Sequence, residues 1–224
     1  MTPPPNAEAG HTQYHAGHEP GPARDFRSWA ILLGTTAVGT AIDLVSKAMA
    51  FARIADAPLV IDRADVIRAG PNHLGSLIPP HAPVQVVNGV LDLTLVLNPG
   101  AVFGIGAGKR WFFVAFTAGA IVFAVALFAK WTSRRHHWTH AAIGLVLAGG
   151  LGNLYDRLAF ACVRDFLHPL PGVLLPFGWS WPWGGREVWP YVSNIADAFL
   201  ILGIGIMIIH TFRYGDGAKR ERQS

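Results

Sequence analysis

The chain has 224 residues, of which 51% are apolar and only 14% are charged, and its formal net charge is +4. Soluble domains carry about 25% charged residues, so this composition excludes an ordinary soluble protein and indicates a membrane protein. The basic excess forms no Lys/Arg stripe interleaved with aromatic residues, which argues against a nucleic-acid partner. The single cysteine, Cys162, excludes a disulfide framework or a zinc–cysteine cluster within the chain.

The first 27 residues are rich in Pro, Gly, His and Ala and nearly lack large apolar side chains. This composition predicts a disordered tail, and a second tail is expected at 213–224. Residues 28–212 are predicted to form one membrane domain. Its four apolar runs can each cross about 30 Å of hydrocarbon as a helix, and they lie at about 29–51, 111–130, 140–158 and 191–210.

The first apolar run has a second interpretation. Basic residues before it and the sequence Ala48-Met49-Ala50 near its end resemble a cleavable signal peptide with an A-x-A site. The run is long for such a peptide, and it carries Asp43 and Lys47. We therefore interpret it as a retained span.

Basic residues around the runs predict the orientation of the protein. The N-terminal tail, the short 131–139 connection and the C-terminus lie on one side of a four-span protein, and all three are basic. Short basic connections face the cytoplasm, so both termini are predicted to be cytoplasmic. The two outer loops are then residues 52–108 and 159–190.

Both outer loops carry structural signals. Val84 to Leu97 is rich in β-branched residues and contains Asn88-Gly89, which predicts strands in a hairpin. The second loop contains PFGWSWPWGG, and these tryptophans predict a segment at the lipid headgroups.

Polar residues occur at the predicted outer ends of all four spans. They are Asp43 and Lys47 in the first, Asn98 before the second, Asn153, Asp156 and Arg157 in the third, Asp165 just after it, and Asn194 and Asp197 in the fourth. Polar side chains at membrane depth are costly and tend to mark function. Their convergence from four segments predicts one site near the outer leaflet, with Asp197 about 9 Å deep at 1.5 Å per residue.

Local spacing leaves some of these roles open. Asn194 and Asp197 are three residues apart and share a helix face. Asp43 and Lys47 are four apart, and a simple neutralising ion pair explains them as well as a function does. A structural salt bridge between Asp156 and Arg157 is an equally good interpretation of that pair.

The chemistry open to Asp165 and Asp197 is limited. Two carboxylates in a low-dielectric site resist ionising together, so one holds a proton while the other is charged. Such a pair can activate water against an amide, or it can carry protons through a transporter. Transporter sites usually lie at the midplane between repeats, whereas this cluster lies near one surface and no repeat is evident. The sequence has no His/Cys cluster, so no metal or cofactor is expected.

Four segments, in order along the chain, resemble motifs of the bacterial lipoprotein signal peptidase family, signal peptidase II. The segments are AIDLVSKAMA, LTLVLNPGAVFGI, LAGGLGNLYDRLAFACVRDFL and VSNIADAFL. The resemblance covers about residues 29–210 and implies an aspartyl endopeptidase of the bacterial inner membrane, with four helices and both termini cytoplasmic. Such an enzyme cuts the signal peptide of a diacylglyceryl-modified prolipoprotein just before the modified cysteine.

The resemblance also implies roles for individual residues. Asp165, in VRDF, and Asp197, in NIAD, would be the catalytic dyad. The supporting and substrate-contacting residues would be Asp43, Lys47, Asn98, Gly100, Arg110, Asn153, Asp156, Arg157, Asn194 and Ala196.

Other features of the family are also implied. The segment Val84–Gly104 would belong to an outer β-cradle that grips the substrate. Membrane lipids and globomycin-type inhibitors would bind, and a monomer is expected. Ser193, Leu44 and Val102 replace the family's usual Phe, Gln and Ala, and the first outer loop is long, so we expect a changed groove and unchanged chemistry.

Overall fold

The computed structural model describes residues 25–100, 109–182 and 184–220, the last eight of these by their backbone alone. Most of the predicted N-terminal tail and the end of the segment LTLVLNPGAVFGI, with Val102, lie outside the described residues. Within them the chain forms five α-helices and three strands: α1 (Phe26–Arg53), α2 (Arg63–Ala69), β1 (Val84–Val87), β2 (Leu91–Asn98), α3 (Arg110–Trp131), α4 (His137–Ala159), β3 (Val163–Pro169) and α5 (Ile195–Arg220).

Side-chain caps fix where the first two helices begin. Asp25 Oδ2 accepts a hydrogen bond from Ser28 N at 2.9 Å, and Asp62 Oδ1 accepts one from Ala64 N at 2.7 Å. An aspartate at this position satisfies a backbone N–H that has no partner within the helix. The start of each of these two helices is therefore determined by the aspartate just before it.

Three helices are long and apolar enough to cross a membrane, judged by length and composition. They are Phe26–Arg53, Arg110–Trp131 and the Ile195–Phe212 part of α5, with mean hydropathies of 1.5, 2.5 and 2.1. Helix α4 has 23 residues, which is long enough at 1.5 Å per residue. Its sequence is more polar because it carries His140, Asn153 and Asp156, all buried inside the protein. The fourth span therefore stays a prediction.

Helix α4 packs against α1, α3 and α5. Its glycines allow this close approach: a Cβ at Gly144 would lie 2.8 Å from Thr35 Cβ, and a Cβ at Gly149 would collide with the carbonyl oxygen of Ala196. Small residues are the usual contacts between helices in membranes. Large apolar side chains such as Phe116 and Ile201 lie exposed on other faces of α3 and α5, as a lipid-facing surface requires.

The strands form an antiparallel sheet in the order β1-β2-β3. The predicted β1–β2 hairpin is confirmed, and Gly89 in its turn has φ +68°, a conformation that costs glycine little. Strand β3 was not predicted. It places Asp165 opposite Val96 on β2, after a register shift between Leu93 and Val96.

A hydrophobic cluster attaches the sheet to the end of α1. Its buried members are Ala50, Phe51, Ala55, Val66, Leu74, Leu95, Leu97, Cys162 and Phe166. Cys162 is a free thiol buried among these apolar side chains. The cluster holds β2 and β3 against α1, which brings the ends of both strands beside α4 and α5.

Candidate active site

Asp165 lies on β3 and is only 1% exposed. Its Oδ2 accepts a hydrogen bond from Asn98 Nδ2 at 3.0 Å, and its Oδ1 accepts one from Asn194 Nδ2 at 2.6 Å. Burial, followed by the negative charge of Asp197, raises the pKa of Asp165 to about 7. A carboxyl with this pKa can hold or release a proton near neutral pH, as acid–base catalysis requires.

Asp197 lies in the first turn of α5 and forms a capping box with Asn194. Asn194 N donates to Asp197 Oδ2 at 3.3 Å, and Asp197 N donates to Asn194 Oδ1 at 3.1 Å. This reciprocal pair satisfies two backbone donors at the start of the helix. The predicted span began at Tyr191, but the helix begins at Ile195, so Asp197 is its third residue and lies nearer the helix start than the sequence predicted.

Two asparagines join the carboxylates into one network. Asn194 Nδ2, the donor to Asp165, also lies 3.1 Å from Asn153 Oδ1. Asn153 Nδ2 donates to Asp197 Oδ1 at 2.8 Å. Neutral amides therefore orient both carboxylates without supplying a positive charge.

A buried lysine supports this network from α1. Lys47 Nζ lies 2.8 Å from Asp43 Oδ2, 3.0 Å from Asn153 Oδ1 and 3.5 Å from Asp156 Oδ2. Asp43 Oδ1 accepts a hydrogen bond from Ala196 N at 2.9 Å. The predicted Asp43–Lys47 ion pair thus forms, and it also connects α1 to α4 and to the start of α5.

Asp156 pairs with Arg164 and not with its neighbour Arg157. Arg164 Nη2 lies 2.8 Å from Asp156 Oδ1, and Arg164 N donates to Asp156 Oδ2 at 3.0 Å. Arg157 instead donates to the carbonyl oxygens of Asn153 and Gly100, at 3.2 and 3.0 Å. Consecutive helix residues point in different directions, which explains why the alternative Asp156–Arg157 pair was wrong.

Gly100 and Arg110 differ in their relation to the network. Gly100 N donates to Asn98 Oδ1 at 3.0 Å, so the contact of Arg157 with Gly100 steadies the turn that presents Asn98 to Asp165. Arg110 is the first residue of α3, and its Cζ lies 4.9 Å from the centroid of the Trp111 ring. Its side chain lines a neighbouring cavity of about 260 Å³. Asp165 and Asp197 do not line that cavity.

Gly152 is a position that the sequence analysis missed. A Cβ there would collide with Asp43 Oδ2, so only glycine lets Asp43 approach α4 this closely. The signal in the sequence was the glycine-rich run LAGGLGN directly before the polar residues of α4.

Two cavities meet at the carboxylates. One, of about 350 Å³, lies along α3 and α4 and is lined by apolar side chains such as Phe113 and Leu147. The other, of about 740 Å³, lies between the sheet and the segment before α5, where Trp189 lines it. Asn98, Asp165 and Asp197 line both cavities. Apolar cavities with a few convergent polar groups are typical of binding and catalytic sites.

The family model described as Signal peptidase (SPase) II matches residues 35–213 of the chain. The lipoprotein signal peptidase of Desulfitobacterium hafniense (strain Y51) is 35% identical over 127 residues, which cover 56% of the chain and 72% of that protein. The lipoprotein signal peptidase of Anaeromyxobacter sp. (strain Fw109-5) is 29% identical over 199 residues, which cover 84% of the chain and 87% of that protein.

A solved structure of a bacterial membrane enzyme, at 2.3 Å resolution, also resembles the chain. The two superimpose with a TM-score of 0.56 at 23% sequence identity, over 88% of the chain and 92% of that structure. This likeness shows a shared fold.

Proposed function

The chain belongs to the signal peptidase II family, and on that premise we propose that it removes signal peptides from prolipoproteins whose cysteine carries a diacylglyceryl group. It would act as a multi-pass protein of the bacterial cytoplasmic membrane, with four spans, both termini in the cytoplasm and the site near the outer leaflet. The exposed apolar faces of α1, α3 and α5 support the membrane location.

In the proposed mechanism, Asp165 and Asp197 share one proton and activate water. Because burial and the neighbouring Asp197 raise the pKa of Asp165 to about 7, we assign that proton to Asp165. Asp197 takes a proton from water as the water oxygen attacks the scissile carbonyl carbon. Asp165 gives its proton to the amide nitrogen as the C–N bond breaks.

The observation that carries this proposal is the position of the pair where two cavities meet. A substrate with an apolar signal segment and a lipid-bearing segment needs space on both sides of the scissile bond. The cavities of about 350 and 740 Å³ both reach Asp165 and Asp197. Asn98, Asn153 and Asn194 would hold the carboxylates in place while water attacks.

Cleavage of a diacylglyceryl-modified prolipoprotein, measured with the purified full-length protein in lipid nanodiscs, tests the proposal. Asp165→Asn and Asp197→Asn should each reduce the rate by about 10²–10⁴-fold, the usual contribution of acid–base catalysis. Asp65→Asn is the matched control, since Asp65 is an exposed carboxylate paired with Arg68 on α2. Wild-type cleavage by either dyad variant would overturn the assignment. A globomycin-type inhibitor should block cleavage by occupying the same junction.

A further inference from the structure

Residues 173–182 and 184–188, between β3 and α5, form a hairpin that the proposed chemistry does not use. Leu175 N donates to Arg186 O, and Val188 N donates to Val173 O, both at 2.7 Å. An isolated bridge between Leu174 and Glu187 lies between these bonds. The two arms are therefore paired, and the segment is a defined structural element.

The tip of the hairpin is the part beyond the paired arms, residues 176–182 and 184–185, and apolar side chains are exposed there and on the adjoining arm. Phe177 is 90% exposed, Trp179 is 65% exposed and Leu174 on the adjoining arm is 52% exposed. The Phe177 and Trp179 ring centroids lie 6.0 Å apart, so the rings form one patch. Large apolar side chains grouped on a surface mark a contact with another apolar phase.

The backbone at the tip is held in an uncommon conformation. Phe177 has φ +58°, in the left-handed region that bulky residues rarely adopt. Hydrogen bonds close the same part of the hairpin: Trp181 N donates to Gly185 O at 3.0 Å, and Trp181 Nε1 donates to Glu187 O at 2.8 Å. Local strain persists only where the surroundings impose it and is common at functional positions, which argues that the exposed ring is positioned for use.

The position of the hairpin points to the membrane as the occupant. Its second arm ends at Val188, and α5 begins seven residues later at Ile195. Ile201 and Leu202 on α5 are 64% and 53% exposed, and in a spanning helix these side chains face lipid. The hairpin therefore leads by a short connection into the outer end of a helix whose exposed side chains face lipid.

The chemistry of the tip matches that interface. Indole rings favour the headgroup level of a bilayer, and phenyl rings are common on the apolar face of segments that lie there. Arg186, whose side chain is exposed, lies across the hairpin with Nη2 3.8 Å from the Cβ position of Gly178. A guanidinium at this place can pair with lipid phosphate.

We propose that the hairpin inserts Phe177 and Trp179 into the headgroup region of the bilayer that the helices span, with Arg186 at the phosphate level. This inference rests on the membrane topology of the proposed function. The second arm leads directly into Trp189 and Tyr191, which line the cavity of about 740 Å³. The anchored hairpin therefore fixes one wall of that cavity relative to the membrane.

A nitroxide label at the tip tests the insertion. The only cysteine, Cys162, is 1% exposed, and burial raises the pKa of its thiol to about 12, so it reacts poorly with thiol reagents. A Phe177→Cys chain can then be labelled at one site and placed in nanodiscs of phosphatidylethanolamine and phosphatidylglycerol. Collisions of the label with oxygen and with an aqueous nickel complex report its depth.

The expected result is a label at 177 that collides with oxygen and is shielded from nickel, as a label at Ile201→Cys should be. A label at Asp65→Cys, on the charged face of α2, gives the aqueous reference. Adding Trp179→Ser to the Phe177→Cys chain should raise the nickel collisions several-fold.

Nickel access at 177 equal to that at 65 would overturn the proposal. Shielding from both reagents would also overturn it, because the tip would then pack against protein, either this chain or a second copy. The measurement uses no substrate, so the hairpin inference can fail while the peptidase proposal stands, and the reverse is also true.

Discussion

Lys47 Nζ lies 3.5 Å from Asp156 Oδ2 although the two residues belong to different helices and neither side chain is exposed to solvent. The same ammonium group lies 2.8 Å from Asp43, and Arg164 pairs with the other side of Asp156. Two cations thus neutralise two buried carboxylates across α1, α4 and β3. Buried charges are tolerated only when they are paired in this way. Removing any one of these four charges therefore leaves another charge buried without its partner.

Lys47→Met should therefore be strongly destabilising. The substitution keeps the apolar stem and leaves Asp43 and Asp156 short of one cation, and breaking a buried pair costs about 3–5 kcal/mol. The matched control is Arg68→Met, which removes the exposed ion pair with Asp65 and should cost less than about 1 kcal/mol. Chemical unfolding of the purified protein in detergent measures both, and equal effects would contradict the role of Lys47.

Gly152→Ala and Gly150→Ala should behave differently although they lie two residues apart on α4. A methyl group at 152 collides with the Asp43 carboxylate, whereas one at 150 lies 3.5 Å from Ile121 Cγ1, an ordinary contact. Gly152→Ala should lose about 1–3 kcal/mol of stability, as other overpacked sites do, and most of its cleavage activity. Thermal unfolding and the cleavage assay check this, with Gly150→Ala expected to remain close to wild type.

Asp165 should give the stability of the protein a specific pH dependence. Because folding raises the pKa of Asp165 from 3.8 to about 7, the folded state binds an extra proton between these values. The contribution of Asp165 to stability is therefore fully present below about pH 4 and is lost as the pH rises through 7. Asp165→Asn removes this loss, so its stability relative to wild type should rise from pH 4 to 7 and then level off.

The total change in that difference should not exceed about 4 kcal/mol, at 1.36 kcal/mol for each pKa unit. Unfolding of both proteins between pH 4 and 8 measures it, and the hydrogen bonds altered by Asn add only an offset that does not vary with pH. Repeating the pair in an Asp197→Asn background should shrink the change, because the charge that helps raise the pKa of Asp165 is gone. A difference that is flat across this range would contradict the assignment.

His81 should support the β2 segment that faces Asp165. The register of β2 against β3 shifts between Leu93 and Val96, and within this bulge Leu95 N donates to His81 Nε2 at 3.0 Å. His81→Ala leaves that N–H without its acceptor, which should cost about 1–3 kcal/mol and slow cleavage. His81→Gln, which restores a side-chain oxygen, should recover part of both losses. Equal loss in the two variants would show that the hydrogen bond is unimportant.

The long apolar runs predicted the helices well because hydrophobicity along one segment is a local property. Helix α4 was the exception, because it is more polar than the other long helices. Its polar side chains are buried where it packs against neighbouring helices. The start of α5 was misplaced because Tyr191 to Ser193 is apolar enough for a span but is extended. Ser193 N donates to Leu167 O at 2.8 Å, a contact between distant segments that no local pattern reveals.

The missing strand and the charge partners share the same cause. Strand β3 pairs with the distant strand β2, where Asp165 lies opposite Val96. Its sequence, VRDFLHP, does not alternate between apolar and polar residues as a half-buried strand does. The sequence predicted that Asp165 and Asp197 lie in one layer near the outer leaflet. The order of the motifs predicted that Asn98, Asn153 and Asn194 lie near them. Which amide contacts which carboxylate depends on packing between α1, α4 and α5. Gly152 matters for the same reason, because Asp43 on α1 packs directly against it.

The last helix completes the site, and this has a consequence for how the protein is made. Asn194 supplies a hydrogen bond to Asp165, Ala196 N binds Asp43, and Asp197 is itself on α5. A nascent chain that has emerged only as far as Ser193 holds one of the two proposed catalytic carboxylates, without its amide donor from Asn194. The proposed dyad therefore forms only after the start of α5 has reached β3, and a chain that lacks α5 is expected to be inert toward the precursors beside it.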